Sequence, residues 1–186
     1  MRVITGSARG RRLGELEGME TRPTTDRVKE GVFSALQFDV EGRQVLDLFA
    51  GTGQLGIECL SRGAASAVFV DQRRDAARLV RENLAATGLA DRGRVVQGNA
   101  LDFLAGNRER FGLIFLDPPY ASGLLGEVFR RFRETAFDIL LPRGIIVAEH
   151  PADQTPPPGA DCLAMRTYRY GKIAATLYRR MERNEE

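Results

Sequence analysis

The 186-residue sequence predicts an α/β protein built on a doubly wound, mainly parallel sheet. Three observations lead to this prediction. Short apolar runs alternate along the chain with segments whose apolar residues recur at helical spacing. Turns rich in glycine or proline follow two of those runs, over residues 50–56 and 117–120. Two further strand-like runs, residues 162–170 and 172–180, close the chain around Gly171 and predict an antiparallel pair. We therefore expect seven strands, the last of them antiparallel.

Length and composition indicate one domain over residues 1–186, with a small extension, residues 1–40, attached to a core, residues 41–186. Apolar residues make up 43% of the chain and charged residues 28%, as is typical of a globular protein in water. No apolar run approaches the length of a membrane span, and the N-terminus lacks the apolar core of a signal peptide. We therefore expect a cytoplasmic protein with no membrane partner.

Cysteine and histidine content argues against a metal site. Cys59 and Cys162 do not have the spacing of metal ligands, and His150 is the one histidine in the sequence. We therefore expect a reduced cytoplasmic setting and no bound metal.

Basic residues are concentrated near the N-terminus, although the whole chain has a net charge of only +2. Residues 1–29 contain seven basic and four acidic side chains, and no acid occurs in the first dozen. Extended runs over residues 2–5 and 11–16 flank a glycine-bearing turn and predict a hairpin, with a helix after it over residues 26–37. Arginines on this extension could contact nucleic-acid phosphates, or they could be solvated beside a capped helix. The candidate nucleic-acid-binding residues are Arg2, Arg9, Arg11, Arg12, Arg22, Thr24, Thr25 and Arg27.

A glycine-rich turn joins the first strand of the core to a helix. Gly51, Gly53 and Gly56 fit the pattern G-x-G-x-x-G in the strand–turn–helix context of nucleotide-binding folds. Asp71 ends the next strand, and an acid at that place can accept hydrogen bonds from two ribose hydroxyls. The turn therefore predicts a cofactor that carries a nucleoside, either NAD or S-adenosylmethionine.

Asp47 lies in the strand before the glycines and favours S-adenosylmethionine. A carboxylate there suits the cationic amino-acid end of that molecule, whereas it would repel the pyrophosphate of NAD. The alternative is a structural acid that only makes local hydrogen bonds. Asn99 after the third strand has two interpretations as well, since its amide could bind an adenine edge or cap the following helix.

The motif Asp-Pro-Pro-Tyr at residues 117–120 follows the apolar run 113–116, and its two prolines end that strand by removing amide donors. An acid and an aromatic ring are left at the carboxyl end of a buried strand, where open α/β sheets bind ligands. Asp117 and the Pro118 carbonyl could accept both N–H groups of an exocyclic amine, which favours the tetrahedral nitrogen that attacks. Tyr120 offers a face on which a base can stack. The alternative is a surface turn in which Tyr120 only packs.

The remaining segments continue the alternation of strands and helices. Apolar runs and spacing predict strands over residues 44–49, 67–70, 94–97 and 144–149. They predict helices after the glycine turn through about residue 62, and over residues 73–87, 101–106 and 124–135. We expect five βα units before the antiparallel pair. Glu149 and His150 then lie at the ligand-binding edge. The last helix carries Arg130, Arg131 and Arg133, which we interpret mainly as a solvated face.

These motifs resemble those of the bacterial small-subunit ribosomal RNA guanine-N2 methyltransferases of the RsmD type. The resemblance rests on the opening Met-Arg-Val-Ile-Thr-Gly, Arg-Pro-Thr-Thr-Asp-Arg at 22–27, Asp-Leu-Phe-Ala-Gly-Thr-Gly at 47–53, Asp-Pro-Pro-Tyr and Tyr-Gly-Lys at 170–172. It implies the class I, Rossmann-like methyltransferase fold and methyl transfer from S-adenosylmethionine to N2 of one guanine in 16S RNA. The substrate would be the small subunit or a late precursor. The resemblance also implies S-adenosylhomocysteine as product, no metal and a monomer.

The resemblance assigns site residues by motif. It implies Asp117, Pro118 and Tyr120 as catalytic residues, and as cofactor-binding residues Asp47, Phe49, Gly51, Gly53, Asp71, Asn99 and Ala100. Three alternatives stay open. A DNA or other RNA amino-methyltransferase, acting on N6 of adenine or N4 of cytosine, would share these motifs but would be expected to carry a larger target-recognition insertion. An NAD-dependent oxidoreductase would need a substrate domain, and a non-catalytic RNA-binding module would not need Asp117.

Overall fold

The computed structural model describes residues 1–16, 26–160 and 163–181. The predicted Arg22, Thr24 and Thr25, and also Cys162, lie outside the described residues. No helix in the part of the chain that the structure describes is both long enough and apolar enough to cross a bilayer.

The described residues form seven strands and five α-helices in the predicted order. The strands are Gln44–Asp47 (β1), Ser66–Asp71 (β2), Gly93–Gln97 (β3), Phe111–Leu116 (β4), Leu140–Pro151 (β5), Leu163–Tyr170 (β6) and Ile173–Arg180 (β7). The α-helices are Asp26–Ala35 (α1), Gln54–Ser61 (α2), Arg74–Thr87 (α3), Ala100–Gly106 (α4) and Leu124–Glu134 (α5). Two short 3-10 helices occupy Ala90–Arg92 and Tyr120–Ser122.

One seven-stranded sheet has the order β3-β2-β1-β4-β5-β7-β6. Strands β1 to β5 pair in parallel, and β7 inserts antiparallel between β5 and β6. The prediction of a doubly wound, mainly parallel sheet with an antiparallel last strand is therefore confirmed, and with it the class I, Rossmann-like arrangement.

The prediction of five βα units is wrong by one helix. Strand β5 is followed within the described residues by a turn and a loop through residue 160, so four βα units precede the antiparallel pair. Strand β5 is also longer than predicted, because Leu140 pairs with Phe111 before a shift of register and Ile145 resumes the pairing with Leu113. Arg143 at that irregularity has a φ of 57°, a left-handed conformation that is unusual inside a strand.

The core forms two layers, one on each face of the sheet. Alternate residues of a strand point to opposite faces, so Val45 belongs to one layer and Leu46 to the other. The first layer contains α1, α2, α3 and the N-terminal segment, and the second contains α5 with the start of α4. Phe33 of α1 packs on Phe115 of β4 with ring centroids 5.9 Å apart.

The N-terminal segment folds back on itself as predicted, although its pairing is short. Arg2 and Arg12 form one antiparallel bridge, and the Val3 amide donates to the Arg11 carbonyl at 3.0 Å. This hairpin is attached to α2 through Glu58, whose carboxylate accepts from the amides of Ile4 at 2.8 Å and Thr5 at 3.0 Å.

Glu58 is fully buried and holds two cations as well as the hairpin. The Lys29 ammonium, also fully buried, lies 3.7 Å from one carboxylate oxygen, and Arg62 donates to the other at 2.8 Å. Lys29 Nζ also donates to the Arg2 carbonyl at 2.5 Å. Burial lowers the pKa of Lys29, and the attraction of Glu58 opposes that shift. Lys29 therefore does not belong to the exposed basic surface that the sequence predicts.

Replacing Glu58 with Gln should destabilise the fold, because Lys29 would remain buried without its counter-charge. Breaking one side of a buried ion pair costs about 3–5 kcal/mol, which should appear in the free energy of unfolding measured with urea. Glu41→Gln, at an exposed glutamate, is the matched control. Adding Lys29→Met to Glu58→Gln should recover part of the loss. Equal stability of the Glu58 and Glu41 variants would contradict the role of this pair.

Candidate active site

A cavity of about 680 Å³ opens at the carboxyl edge of the parallel strands. That volume lies within the usual range of small-molecule sites, roughly 300–1,000 Å³. The cavity collects side chains and turns from the ends of β1, β2, β3, β4 and β5. Its lining includes nine of the predicted site residues: Asp47, Phe49, Gly51, Asp71, Asn99, Ala100, Asp117, Pro118 and Tyr120.

The pairing of β1 with β4 explains why two distant motifs meet here. Asp47 is the register partner of Phe115, so Asp117 follows only two residues beyond the same level of the sheet. The glycine turn leaves β1 at that edge and the Pro118-Pro119 turn leaves β4 beside it. Neighbouring parallel strands therefore bring the two predicted motifs to one cavity.

Close packing of α2 against β2 fixes the position of the glycine turn. Gly56 on α2 lies against the Phe69 ring of β2, and a Cβ at position 56 would stand 2.3 Å from that ring. The absence of a side chain thus sets how closely α2 approaches the sheet. Gly53 precedes α2 with a φ of 78° and packs toward Val80, and it does not line the cavity.

Asp47 is both a structural acid and a cavity residue. Its side chain is almost fully buried, and Oδ2 accepts from the Gly56 amide at 3.0 Å. Burial raises the pKa of Asp47 to about 7, the nearby Asp71 charge adds to the rise, and the Gly56 hydrogen bond opposes it. A carboxyl group in this state gains a charge readily when a cation enters the cavity.

Asp71 is held from both sides by backbone amides. Oδ2 accepts from Gly51 at 2.9 Å and Oδ1 accepts from Arg73 at 2.9 Å. Each carboxylate oxygen has further lone pairs, so the group can still accept from a ligand in the cavity. The structure thus presents Asp71 in one fixed orientation at the end of β2.

Asn99 is the N-cap of α4, which is one of the two roles that the sequence suggests for it. Its Oδ1 accepts from the amides of Leu101 at 2.8 Å and Asp102 at 3.4 Å. Asn99 and Ala100 both line the cavity. The cap occupies the side-chain oxygen, and the adenine role stays a prediction.

Gln54, at the start of α2, is a polar cavity residue that sequence reasoning did not single out. It is 8% exposed, and within residues 1–16, 26–160 and 163–181 its Oε1 is buried without a hydrogen-bond partner. Leaving a buried acceptor unpaired costs about 1–3 kcal/mol. This atom therefore offers an acceptor to a donor group of a ligand.

Tyr120 contacts Glu149, a residue to which the sequence assigned no role. The Tyr120 hydroxyl donates to Glu149 Oε1 at 2.9 Å, and Glu149 is 6% exposed at the end of β5. The sequence feature that could have indicated a role for Glu149 was its position near the carboxyl end of β5, the strand adjacent to β4. His150 differs, because its ring is buried and Nε2 and Nδ1 lie 2.9 Å from Thr176 Oγ1 and the Pro151 carbonyl.

The predicted basic residues of the hairpin and of α1 lie outside the cavity lining. The side chains of Arg2, Arg9, Arg11, Arg12 and Arg27 are exposed. Met1 and Leu16 from the same segment line the cavity, so the hairpin borders it. Among the described residues there is no group of three or more His, Cys, Asp or Glu side chains that could hold a metal ion.

Comparison with known proteins places this geometry in a family. The family described as conserved hypothetical protein 95 matches residues 1–179. Ribosomal RNA small subunit methyltransferase D of Escherichia coli strain K12 is 36% identical over 100% of this chain and 92% of its own. YlbH of Bacillus subtilis strain 168, provisionally named an rRNA methyltransferase, is 40% identical over 97% of this chain and 99% of its own.

A solved structure supports the same grouping. The Escherichia coli protein yhhF superposes with a TM-score of 0.87 at 36% sequence identity, and the match covers 98% of this chain and 99% of that one. The agreement extends over the hairpin as well as the sheet, since almost the whole length of both chains is included.

Proposed function

The chain belongs to the family of conserved hypothetical protein 95 together with the ribosomal RNA small subunit methyltransferases D, and from this premise we propose its reaction. It transfers a methyl group from S-adenosylmethionine to the exocyclic N2 amine of a guanine in small-subunit ribosomal RNA. One observation carries the proposal: the Asp47 and Asp71 ends of β1 and β2 and the Asp117–Tyr120 turn open onto a single cavity.

The donor half of the cavity fits S-adenosylmethionine, which supplies a methyl group already activated on a positively charged sulfur. Asp47 and the unpaired Gln54 Oε1 would accept from the ammonium group of its amino-acid end. Asp71 would accept from its ribose hydroxyls, and Asn99 with the Ala100 amide would bind its adenine. Phe49 and Gly51 complete the proposed donor site, and Gly53, which does not line the cavity, would contribute only through the shape of the turn.

The acceptor half consists of Asp117, the Pro118 carbonyl and the Tyr120 ring. The two acceptors would bind both N–H groups of the amine and so direct its lone pair at the methyl group. Guanine also offers N1–H, which a carboxylate can accept together with N2–H, whereas adenine has an acceptor at N1. Glu149 holds the Tyr120 hydroxyl at 2.9 Å, which fixes the ring on which the base would stack.

In this proposal, catalysis comes mainly from positioning the reacting groups. Bringing amine, methyl group and departing sulfur into line contributes up to about 7–11 kcal/mol in favourable intramolecular cases. The chain's own residues therefore need to bind, orient and accept a proton, and we propose no metal. The substrate would be 16S RNA in the small subunit or a late precursor, met in the cytoplasm by a monomer. The exposed arginines of the hairpin, together with Arg22, Thr24 and Thr25, would contact its phosphates.

A second candidate is an amino-methyltransferase that acts on N6 of adenine or N4 of cytosine in DNA or another RNA. The Asp-Pro-Pro-Tyr turn favours it equally, because the same two acceptors suit any exocyclic amine. Labelled methyl transfer onto small subunits from cells that lack this activity distinguishes the candidates, since the methylated nucleoside can be identified after digestion.

Replacing Asp117 with Ala should remove most of the transfer while leaving donor binding near normal, because in this proposal the carboxylate binds the amine and not the donor. By analogy with the loss of one preorganised polar contact at a reacting group, turnover should fall about 10²- to 10³-fold. Radioactive transfer measures turnover, and calorimetry with S-adenosylhomocysteine measures binding. Asp91→Ala, an exposed aspartate before β3, is the control. Unchanged turnover in Asp117→Ala would refute the role.

Tyr120 variants should separate the ring from its hydroxyl. Tyr120→Phe keeps the stacking face and loses the hydroxyl that donates to Glu149, so it should be the milder change. Tyr120→Ala loses a base–aromatic contact worth about 1–3 kcal/mol and should raise KM for the subunit accordingly. Steady-state kinetics with subunit as the varied substrate measures both. Equal losses in the two variants would show that the ring does not hold the base.

Donor binding should weaken below neutral pH because Asp47 must be charged to bind an ammonium group. Burial raises the pKa of Asp47 to about 7, so a growing fraction is protonated below that pH and the cation then competes with a proton. The affinity for S-adenosylhomocysteine should fall by up to about tenfold per pH unit below 7. Calorimetry across about pH 5.5 to 8 measures this dependence. Asp47→Asn should bind weakly with this dependence removed, and a flat wild-type profile would contradict the assignment.

A further inference from the structure

A second cavity, of about 470 Å³, lies against the acceptor turn. Four residues line both cavities: Pro118, Pro119, Tyr120 and Glu149. Residues 118–120 of the Asp-Pro-Pro-Tyr turn therefore border both cavities, and only the first cavity is used by the proposed donor and amine. The volume of the second lies within the usual range for small-molecule sites, roughly 300–1,000 Å³.

The far wall of the second cavity is a proline-rich loop with a fixed position. Pro156, Pro157 and Pro158 line it. Proline rings lack amide donors, so this wall offers apolar faces. The Pro157 carbonyl accepts from the buried Tyr178 hydroxyl at 2.7 Å, which ties the loop to β7. Exposed Gln154 from the same loop adds a side-chain amide that can donate and accept.

Arg133 gives this cavity a positive charge. The sequence groups it with Arg130 and Arg131, but the structure separates them: Arg130 and Arg131 form ion pairs with Glu134, and Arg133 lines the cavity. Its side chain is exposed, and in the part of the chain that the structure describes its guanidinium forms no ion pair. An arginine in this setting is suited to a phosphate group.

We propose that the second cavity binds the nucleotide next to the methylated guanine, with its base between the Tyr120 turn and the proline loop and its phosphate at Arg133. The inference rests on the proposed function. If the methylated guanine occupies the first cavity, the adjacent nucleotide of the RNA would lie at the second cavity, which shares lining residues with the first. Apolar faces for a base, an amide for its edge and a cation for its phosphate are the components of a single-strand nucleotide site.

Arg133→Ala tests the phosphate contact, with Arg131→Ala as its matched control. Arg131 carries the same charge on the same helix but lies about 160° around it from Arg133. Arg133→Ala should raise KM for unmethylated small subunits about fivefold at 0.1 M salt and leave kcat unchanged. The slope of log kcat/KM against log salt should become shallower by about 0.7, as expected for one lost contact to a single strand. Arg133→Lys should largely restore the slope.

Gly126→Phe tests whether a nucleotide occupies the second cavity. Gly126 lines the second cavity on α5, and a Cβ built there meets nothing within 4 Å, so the helix accepts a side chain. The phenyl ring should occupy the nucleotide space, raise KM and leave the salt slope unchanged. Glu127→Phe, at the adjacent exposed residue outside the cavity lining, is the control for added bulk. Affinity for S-adenosylhomocysteine should be the same in all these variants.

The outcomes distinguish this inference from the function on which it rests. If the wild type methylates guanine N2 but Arg133→Ala matches Arg131→Ala, or Gly126→Phe matches Glu127→Phe, the nucleotide site is overturned and the function stands. A raised KM for Arg133→Ala with an unchanged salt slope would indicate a protein of the subunit and would also overturn it. Failure of the wild type to methylate guanine N2 would overturn the function itself.

Discussion

The adjacency of β1 and β4 is the constraint on which the site depends. Two motifs separated by about 70 residues in sequence become neighbours only because their strands pair in parallel, with Asp47 level with Phe115. Strand β4 is buried along its whole length, and β1 is buried from Val45 to Asp47. Val45 and Leu46 pack into opposite layers of the core, which fixes the register, since a slip by one residue would exchange the two layers. Packing thus determines the distance between the donor half and the acceptor half of the cavity.

Polar groups around this cavity both complete the fold and present atoms to a ligand. Asp47 accepts from Gly56 and thereby fixes the start of α2, yet burial leaves its pKa near 7 and ready to respond to a cation. Asp71 is oriented by two amides and still has lone pairs for a ligand. The same hydrogen bonds that complete the fold therefore hold the candidate ligand-binding groups in position, so little reorganisation is needed when a ligand binds.

The elements that the sequence predicted well are those with a local signal. Apolar runs, the glycine turn and the Asp-Pro-Pro-Tyr motif each occupy a short stretch, and nine of the predicted site residues, in these motifs or just after a strand, line one cavity. Contacts between distant residues were not predictable. Glu58 contacts the hairpin and the buried Lys29. From the sequence, Lys29 was grouped with the exposed basic residues near the N-terminus. Glu149 on β5 accepts from Tyr120, which follows β4. Arg131 pairs locally with Glu134, whereas the place of Arg133 in the second cavity depends on the tertiary position of the proline loop.

A crystal structure with S-adenosylhomocysteine tests the central claim most directly, because it locates the donor relative to the acceptor turn. We expect the ammonium group of the ligand at Asp47, its ribose at Asp71, and its sulfur facing the Asp117–Tyr120 turn across open space for a base. A ligand bound outside the 680 Å³ cavity, or bound in it with the sulfur turned away from Asp117, would contradict the account.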